Sequence, residues 1–188
     1  LLLGGVLKGQ EMITSAKVRN LADQGSAIKA AFFAFQDRYR AIPGDYISAT
    51  VNINGAVANG DGNGRVTLNS ERGLFWTHLA AAGFITGSYD GGANPNNLFC
   101  PSTTCPSNTF GSPIMFSWGS RATGTTRLGN ELRTGRNIPV DVLAELDRKI
   151  DDGIPETGSF QTDQQARPNT CRSNAGAAST YTLVGANT

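Results

Sequence analysis

Residues 1–46 decide the fold and read LLLGGVLKGQEMITSAKVRNLADQGSAIKAAFFAFQDRYRAIPGDY. In the second half of this stretch, apolar side chains recur at steps of seven, four, three, four and three residues: Leu21, Ile28, Phe32, Phe35, Tyr39 and Ile42. Residues three and four apart share one face of an α-helix, so the spacing predicts a helix with an apolar stripe. Pro43 lacks a backbone donor and favours an extended residue before it, which predicts that the helix ends just before Pro43.

The first seven residues form an apolar block, because no polar side chain occurs before Lys8. A helix end that is apolar on every face is buried in a bilayer or among other helices. Seven residues are too few to cross a membrane, which takes about 20, so we interpret the block as the tail of a longer apolar segment. A signal-peptide remnant and a frayed amphipathic terminus are the alternatives. A helix of about 40 residues would be about 60 Å long, which exceeds one small domain.

The composition predicts a globular domain joined to an extended helix. The chain has 188 residues, 39% of them hydrophobic, and 16 Lys and Arg against 15 Asp and Glu. This balance gives no general attraction to nucleic acid, and no aromatic residue lies among the arginines of residues 121–136 to stack on bases. Few charges and 23 glycines are typical of a loop-rich, extracellular surface. We therefore predict no nucleic-acid partner.

Beyond the long helix, shorter patterns predict an α+β fold. The predicted elements are a loop over 44–66, a helix over 71–82 capped by Asn69 or Ser70, a half-buried strand at 114–118, a helix over 139–150, and strands at 158–162 and 180–184. A long helix, a connecting loop and then a small antiparallel sheet is an α+β order.

Several segments, in the same order, resemble type IV pilins and type II secretion pseudopilins. They are GGVLKGQEMITSAKVRNL at 4–21, FQDRYRAIPGDY at 35–46, NGDGNGRV at 59–66, ERGLFWTHLAAAGFITGS at 71–88 and NIPVDVLAELDRKIDDGIPETGS at 137–159. The resemblance implies an extended N-terminal helix over 1–43, with an apolar assembly half (1–20) and an amphipathic half (21–43). The second half would pack on a small antiparallel sheet in a globular head formed by residues 44–188.

The resemblance also implies a function and a place in the cell. The chain would be a structural subunit of a type IV pilus or pilus-like filament on the bacterial cell surface, reached through the inner membrane with the help of assembly machinery. The alternative is a minor pseudopilin of a type II secretion system or a membrane-tethered binding module. The filament-packing residues would be Leu2, Leu3, Val6, Leu7 and Ile13, and the head-packing stripe would be Ile28, Phe32, Phe35 and Tyr39.

One loop has the pattern of a calcium site. Asn59, Asp61 and Asn63 alternate before Gly64, as in the first half of an EF-hand loop, and Asp45 could contribute from elsewhere. The match is incomplete, since one of the three side chains is charged. A plain Asn/Gly turn is the alternative, so calcium is a candidate ligand and not a required cofactor.

The remaining candidates concern disulfides, charge and catalysis. Cys100 and Cys105 could close a short loop, or one of them could pair with Cys171, and the sequence leaves the pairing open. Asp151 and Asp152 lie at a helix end, where negative charge needs a positive partner. We expect an arginine of this chain, with a neighbouring subunit or a metal as the alternatives. His78 is predicted to pack or hydrogen-bond. With one histidine and no nucleophile–base motif, no catalytic residue and no enzyme activity are predicted.

Overall fold

The structure is a computed structural model and describes residues 2–92, 100–119, 128–163 and 180–181. Its elements in chain order are α1 (Leu2–Tyr39), α2 (Ala49–Asn52), α3 (Asn69–Ala81), β1 (Met115–Gly119), β2 (Gly129–Arg133) and α4 (Val140–Ile150). The fold is α+β, as predicted. Two compact units are present: the first contains the described residues of Leu1–Gln24 and Arg136–Thr188, and the second those of Gly25–Ser120 and Arg127–Gly135.

Helix α1 ends slightly earlier than predicted, at Tyr39. Arg40 follows with a φ of 52°, in the left-handed region, while its N–H donates to the Gln36 carbonyl. A left-handed residue ends a helix because the next N–H groups no longer point at carbonyls four residues back. The turn therefore comes before Pro43, which lies in the following loop.

The predicted head-packing stripe lies in the second unit. Ile28 and Phe35 are buried, and Phe32 and Tyr39 pack partly buried against the same core. The ring of Phe32 lies 5.4 Å from that of Phe116 in β1, and Phe116 stacks on Phe75 of α3 at 4.0 Å. The second half of α1 thus packs against the sheet through an aromatic contact.

Helix α3 starts differently from the prediction. Asn69 and Ser70 are not its caps, because Asn69 is already the first helical residue and the preceding residue is Leu68. The Glu71 carboxylate accepts the Leu68 N–H at 2.9 Å instead. A glutamate at the third helical position can reach back in this way, and a local cap preference does not reveal it. The helix ends before Gly83, as predicted.

The sheet consists of β1 and β2, paired antiparallel with Met115 opposite Arg133 and Gly119 opposite Gly129. The strand predicted at 114–118 is present as β1, but it is not half-buried, because Met115, Phe116 and Ser117 are all buried. Alternation of side-chain polarity indicates which residues tolerate water, but tertiary packing decides which faces are covered. Here the predicted solvent face is covered as well.

Cys100 and Cys105 form a disulfide with their Cα atoms 5.8 Å apart, and both lie in the core of the second unit. The short-loop alternative is therefore the one that the structure contains. Cys171 lies outside the described residues.

The first unit is built on α4, which follows Pro139. The helix buries an apolar face and one acidic side chain: Val140, Val142, Leu143, Ala144, Leu146 and Asp147. In the same unit, Val18 and Leu21 of α1 are also buried. The predicted strand at 158–162 is wrong, because these residues form bends and irregular backbone. Of the strand predicted at 180–184, all but Thr180 and Tyr181 lie outside the described residues.

Candidate functional site

The loop between α1 and α3 brings three carboxylates together. Oxygens of Asp45, Asp61 and Glu71 all lie within 4.8 Å of one another, with Asp45 and Glu71 buried and Asp61 exposed. We call this set the acidic cluster. Asp61 is its member from the predicted calcium trio, and Asp45 joins it, as the sequence had suggested. Glu71, at the start of the helix predicted over 71–82, also belongs to it.

Asp45 anchors the tip of the loop. One of its oxygens accepts the N–H of Asn63 at 3.0 Å, and the other accepts the N–H of Gly64 at 2.8 Å. Burial raises the pKa of Asp45 above its usual value, the hydrogen bond from Gly64 opposes this shift, and the nearby Asp61 adds to it. The ionised form of Asp45 is therefore less favourable in the folded chain than in water.

Glu71 anchors the other end of the loop. Its carboxylate accepts backbone N–H groups of Asp61 at 3.2 Å and of Thr67 and Leu68 at 2.9 Å each. Burial raises the pKa of Glu71, and these three hydrogen bonds lower it in part. One side chain thus caps α3 and fixes the start of the Asp61 turn.

The two predicted asparagines have different roles. The Oδ1 of Asn59 accepts the N–H of Thr50 at 2.9 Å, which satisfies a free donor in the first turn of α2. The Nδ2 of Asn63 donates to Asp61 at 2.8 Å. Asn59 therefore serves α2, and Asn63 orients a member of the acidic cluster.

The acidic cluster offers oxygens of the type that calcium binds. In the part of the chain that the structure describes, no basic side chain is hydrogen-bonded or ion-paired to Asp45, Asp61 or Glu71. Calcium takes six to eight oxygens, so three carboxylates would supply part of a shell and water or main-chain carbonyls the rest. Calcium binding remains a prediction, now with Asp45, Asp61 and Glu71 as its acidic ligands.

His78 lies in α3 beside this loop and is fully buried. Its Nδ1 accepts the N–H of Gly44 at 3.0 Å, so Nε2 carries the proton and donates to the Ala58 carbonyl at 2.9 Å. Burial lowers the pKa of His78. Gly44 has a φ of +87°, and a Cβ there would lie 2.4 Å from the Glu71 carbonyl oxygen, so glycine is required. The predicted packing and hydrogen-bonding role of His78 is confirmed.

A second acidic group, Asp147, Asp151 and Asp152, lies in the first unit. Asp147 is buried at the end of α4 and accepts the hydroxyl of Tyr181 at 2.8 Å. Asp151 accepts the N–H of Phe160 at 2.7 Å, and Asp152 accepts that of Ile154 at 2.8 Å and the Thr157 hydroxyl. Among the described residues, N–H and hydroxyl groups therefore take the place of the expected arginine.

The first half of α1 exposes apolar side chains. Val6 is 60% exposed, Met12 68% and Ile13 59%. These include two of the predicted filament-packing residues, and the side chains of the other three, Leu2, Leu3 and Leu7, lie outside the described set. No helix among the described residues has the length and hydropathy of a membrane span.

Comparison with models of known protein families, with curated proteins and with solved structures found no match. The function is therefore inferred from the side chains of this chain and their surroundings.

Proposed function

We propose that the chain is a structural subunit of a type IV pilus or pilus-like filament on the bacterial surface, which assembles through the first half of α1. The observation that carries this proposal is the exposure of Val6, Met12 and Ile13 on a helix whose second half is packed. Full burial of each such side chain stabilises by about 1.5–3 kcal/mol relative to water. Association of helices from several copies would bury all three.

The spacing of these residues supports packing between helices. Val6, Gly9 and Ile13 are separated by three and four residues, so they lie along one stripe of α1. A Cβ built at Gly9 would meet nothing within 4 Å inside this chain. A glycine between two branched apolar residues allows a neighbouring helix to approach closely. The stripe therefore fits a helical bundle formed by copies of the same chain.

The second half of α1 gives the contrast that the proposal needs. Ile28 and Phe35 on its apolar stripe are buried inside the second unit, against α3 and the sheet. This half therefore has its packing partners within the chain, and the first half keeps large apolar side chains in contact with water. In the proposed filament, the packed half carries the globular head, and the exposed half forms the core with its neighbours.

The test compares Ile13→Asp with Val51→Asp, a control at a strongly exposed valine in α2. The protein is expressed from its complete natural gene, and fibres are counted by electron microscopy. We expect fibres from the unchanged protein and from Val51→Asp. For Ile13→Asp, we expect none, or a concentration for assembly at least about tenfold higher, because a charge replaces a buried apolar contact.

Thermal unfolding of both variants checks that the fold is intact. Fibres of normal abundance from Ile13→Asp, or an unchanged protein that stays a lone particle at high concentration, would overturn the proposal. Incorporation only at the tip of a fibre made of another subunit would favour the minor pseudopilin.

A further inference from the structure

The loop after α2 contains three Asn-Gly dipeptides: Asn54-Gly55, Asn59-Gly60 and Asn63-Gly64. In such a dipeptide the glycine main-chain nitrogen can attack Cγ of the asparagine, because glycine has no side chain to obstruct it. This nitrogen loses its proton and bonds to Cγ, while the Cγ–Nδ2 bond breaks. The departing amide nitrogen takes up the proton and leaves as ammonia, which produces a succinimide. Water then opens the ring to aspartate or isoaspartate, so that OH replaces NH2 without oxidation or reduction.

Two of the three dipeptides are held by hydrogen bonds at both reacting groups. The Gly60 N–H donates to the Tyr46 carbonyl at 3.0 Å, and the Asn59 amide accepts from Thr50. Formation of the succinimide would break both bonds, since the nucleophile and the amide must turn towards each other.

Asn63-Gly64 is also held by hydrogen bonds at both reacting groups. The Gly64 N–H donates to Asp45 at 2.8 Å, and the amide nitrogen of Asn63 donates to Asp61 at 2.8 Å. The acidic cluster thus protects Asn63 from attack by the main-chain nitrogen of Gly64.

Asn54-Gly55 differs in each respect. Both residues are exposed, and within the described residues no hydrogen bond is recorded for the Asn54 side chain or the Gly55 N–H. They are the central residues of a turn closed by the Ala56 N–H and the Ile53 carbonyl at 3.1 Å, and Gly55 has a φ of +88°. The reacting groups need only this short turn to rotate.

We propose that Asn54 is a selective site of spontaneous deamidation in the folded protein. The product places a carboxylate directly after α2, and the isoaspartate form adds an atom to the main chain next to the buried Ile53. The protein would therefore acquire a charge at one defined surface position as it ages. This inference does not depend on the proposed function.

One tryptic peptide tests the proposal, because cleavage after Arg40 and Arg65 releases residues 41–65 with all three Asn-Gly dipeptides. The folded protein is incubated in water enriched in oxygen-18 at mildly alkaline pH and then digested in ordinary water. Tandem mass spectrometry measures the label at each asparagine. We expect the label at Asn54 to exceed that at Asn59 and at Asn63 by about tenfold, since each of these must first lose two hydrogen bonds.

The same incubation in urea is the control, because unfolding removes the protection and should bring the three rates close together. In the Asn54→Gln variant, the label should disappear at position 54 without rising at the other two. Equal labelling in the folded protein, a larger label at Asn59 or Asn63, or the same preference for Asn54 in urea would overturn the proposal. So would an unlabelled Asn54 in folded protein after a time that labels it in urea.

Discussion

Asp45 and Glu71 are buried carboxylates whose recorded partners are backbone N–H groups. Hydrogen bonds from N–H groups stabilise a buried anion, but they do not cancel its charge, and burial still raises the pKa of both groups. Two side chains thereby fix the main chain of the glycine-rich loop between α2 and α3. The same charge makes the acidic cluster attractive to a cation.

We predict that calcium stabilises chelator-treated protein through the acidic cluster. A ligand that binds only the folded state at 100 times its Kd adds about 2.7 kcal/mol to the free energy of unfolding. Asp61→Asn should weaken this response, because it removes the charge of the exposed member. Thermal unfolding with and without calcium measures the effect.

Asp141→Asn is the control, since Asp141 is exposed in the first turn of α4, outside both acidic groups. Its response to calcium should equal that of the unchanged protein. Absence of both a thermal shift and a heat of binding in calorimetry would remove calcium from this loop.

His78 predicts a loss of stability in mild acid. Its pKa is lowered by burial in the folded state, so below the ordinary value of 6.5 the unfolded chain binds the proton more readily. The contribution of His78 to the free energy of unfolding is complete above pH 6.5. It is lost as the pH falls from 6.5 towards the pKa of His78 in the folded state. Protonation of Nδ1 would also place a second donor against the Gly44 N–H.

The measurement is urea unfolding from neutral pH to about pH 5, with His78→Gln for comparison. At neutral pH the variant should be less stable by roughly 1–3 kcal/mol, since glutamine cannot reproduce both hydrogen bonds. On acidification the difference should shrink, because glutamine does not titrate. If the difference in the free energy of unfolding between the two proteins did not change with pH, the lowered pKa of His78 would be contradicted.

At the scale of elements, α1 is one helix with two kinds of surface. Its second half meets α3 and the sheet through aromatic side chains, and its first half exposes Val6, Met12 and Ile13. The periodic pattern of residues alone cannot distinguish an apolar stripe that packs within the chain from one that stays exposed in it. Burial in the folded chain makes this distinction.

Two phenylalanines that lie two positions apart on α1 give a matched test. Phe35 is fully buried and contacts the rings of Tyr39 and His78, whereas Phe33 is 55% exposed. We expect Phe35→Ala to lower the free energy of unfolding by about 3–5 kcal/mol, because it leaves a cavity in the core. Phe33→Ala should lower it by only about 0.5–1.5 kcal/mol, because the half-exposed ring loses mainly its edge-to-face contact with Phe32. Urea unfolding measures both, and effects of equal size would contradict the packing of the stripe.

At the scale of the whole molecule, charge balance is compatible with self-association. The formal net charge of the chain is +1 at neutral pH, so copies would repel one another only weakly through their overall charge. Association in the proposed filament would then depend on apolar contacts along α1, which salt screens little. The comparison of Ile13→Asp with Val51→Asp tests this dependence directly, because Ile13 is exposed and its replacement leaves the buried core unchanged.

Local spacing in the sequence determined the elements and several of their residues. The stripe of α1, the helices at α3 and α4 and the hydrogen-bonding role of His78 were predictable, because each depends on residues a few positions apart or on the chemistry of one side chain. The position of β1 was predictable for the same reason. Its covered second face was not, since that depends on distant segments.

The tertiary structure alone decided how separate segments meet. It joined Asp45 to Asp61 and Glu71, used Glu71 instead of Asn69 or Ser70 as the cap of α3, and paired Cys100 with Cys105. It also distinguished the exposed Asn54 from two asparagines in identical dipeptides whose side chains are hydrogen-bonded. The physical reason is that hydrogen bonds and burial depend on distances in space. Residues 16 and 26 positions apart in the chain, such as Asp61 and Glu71 from Asp45, share no local periodicity that would reveal their contact.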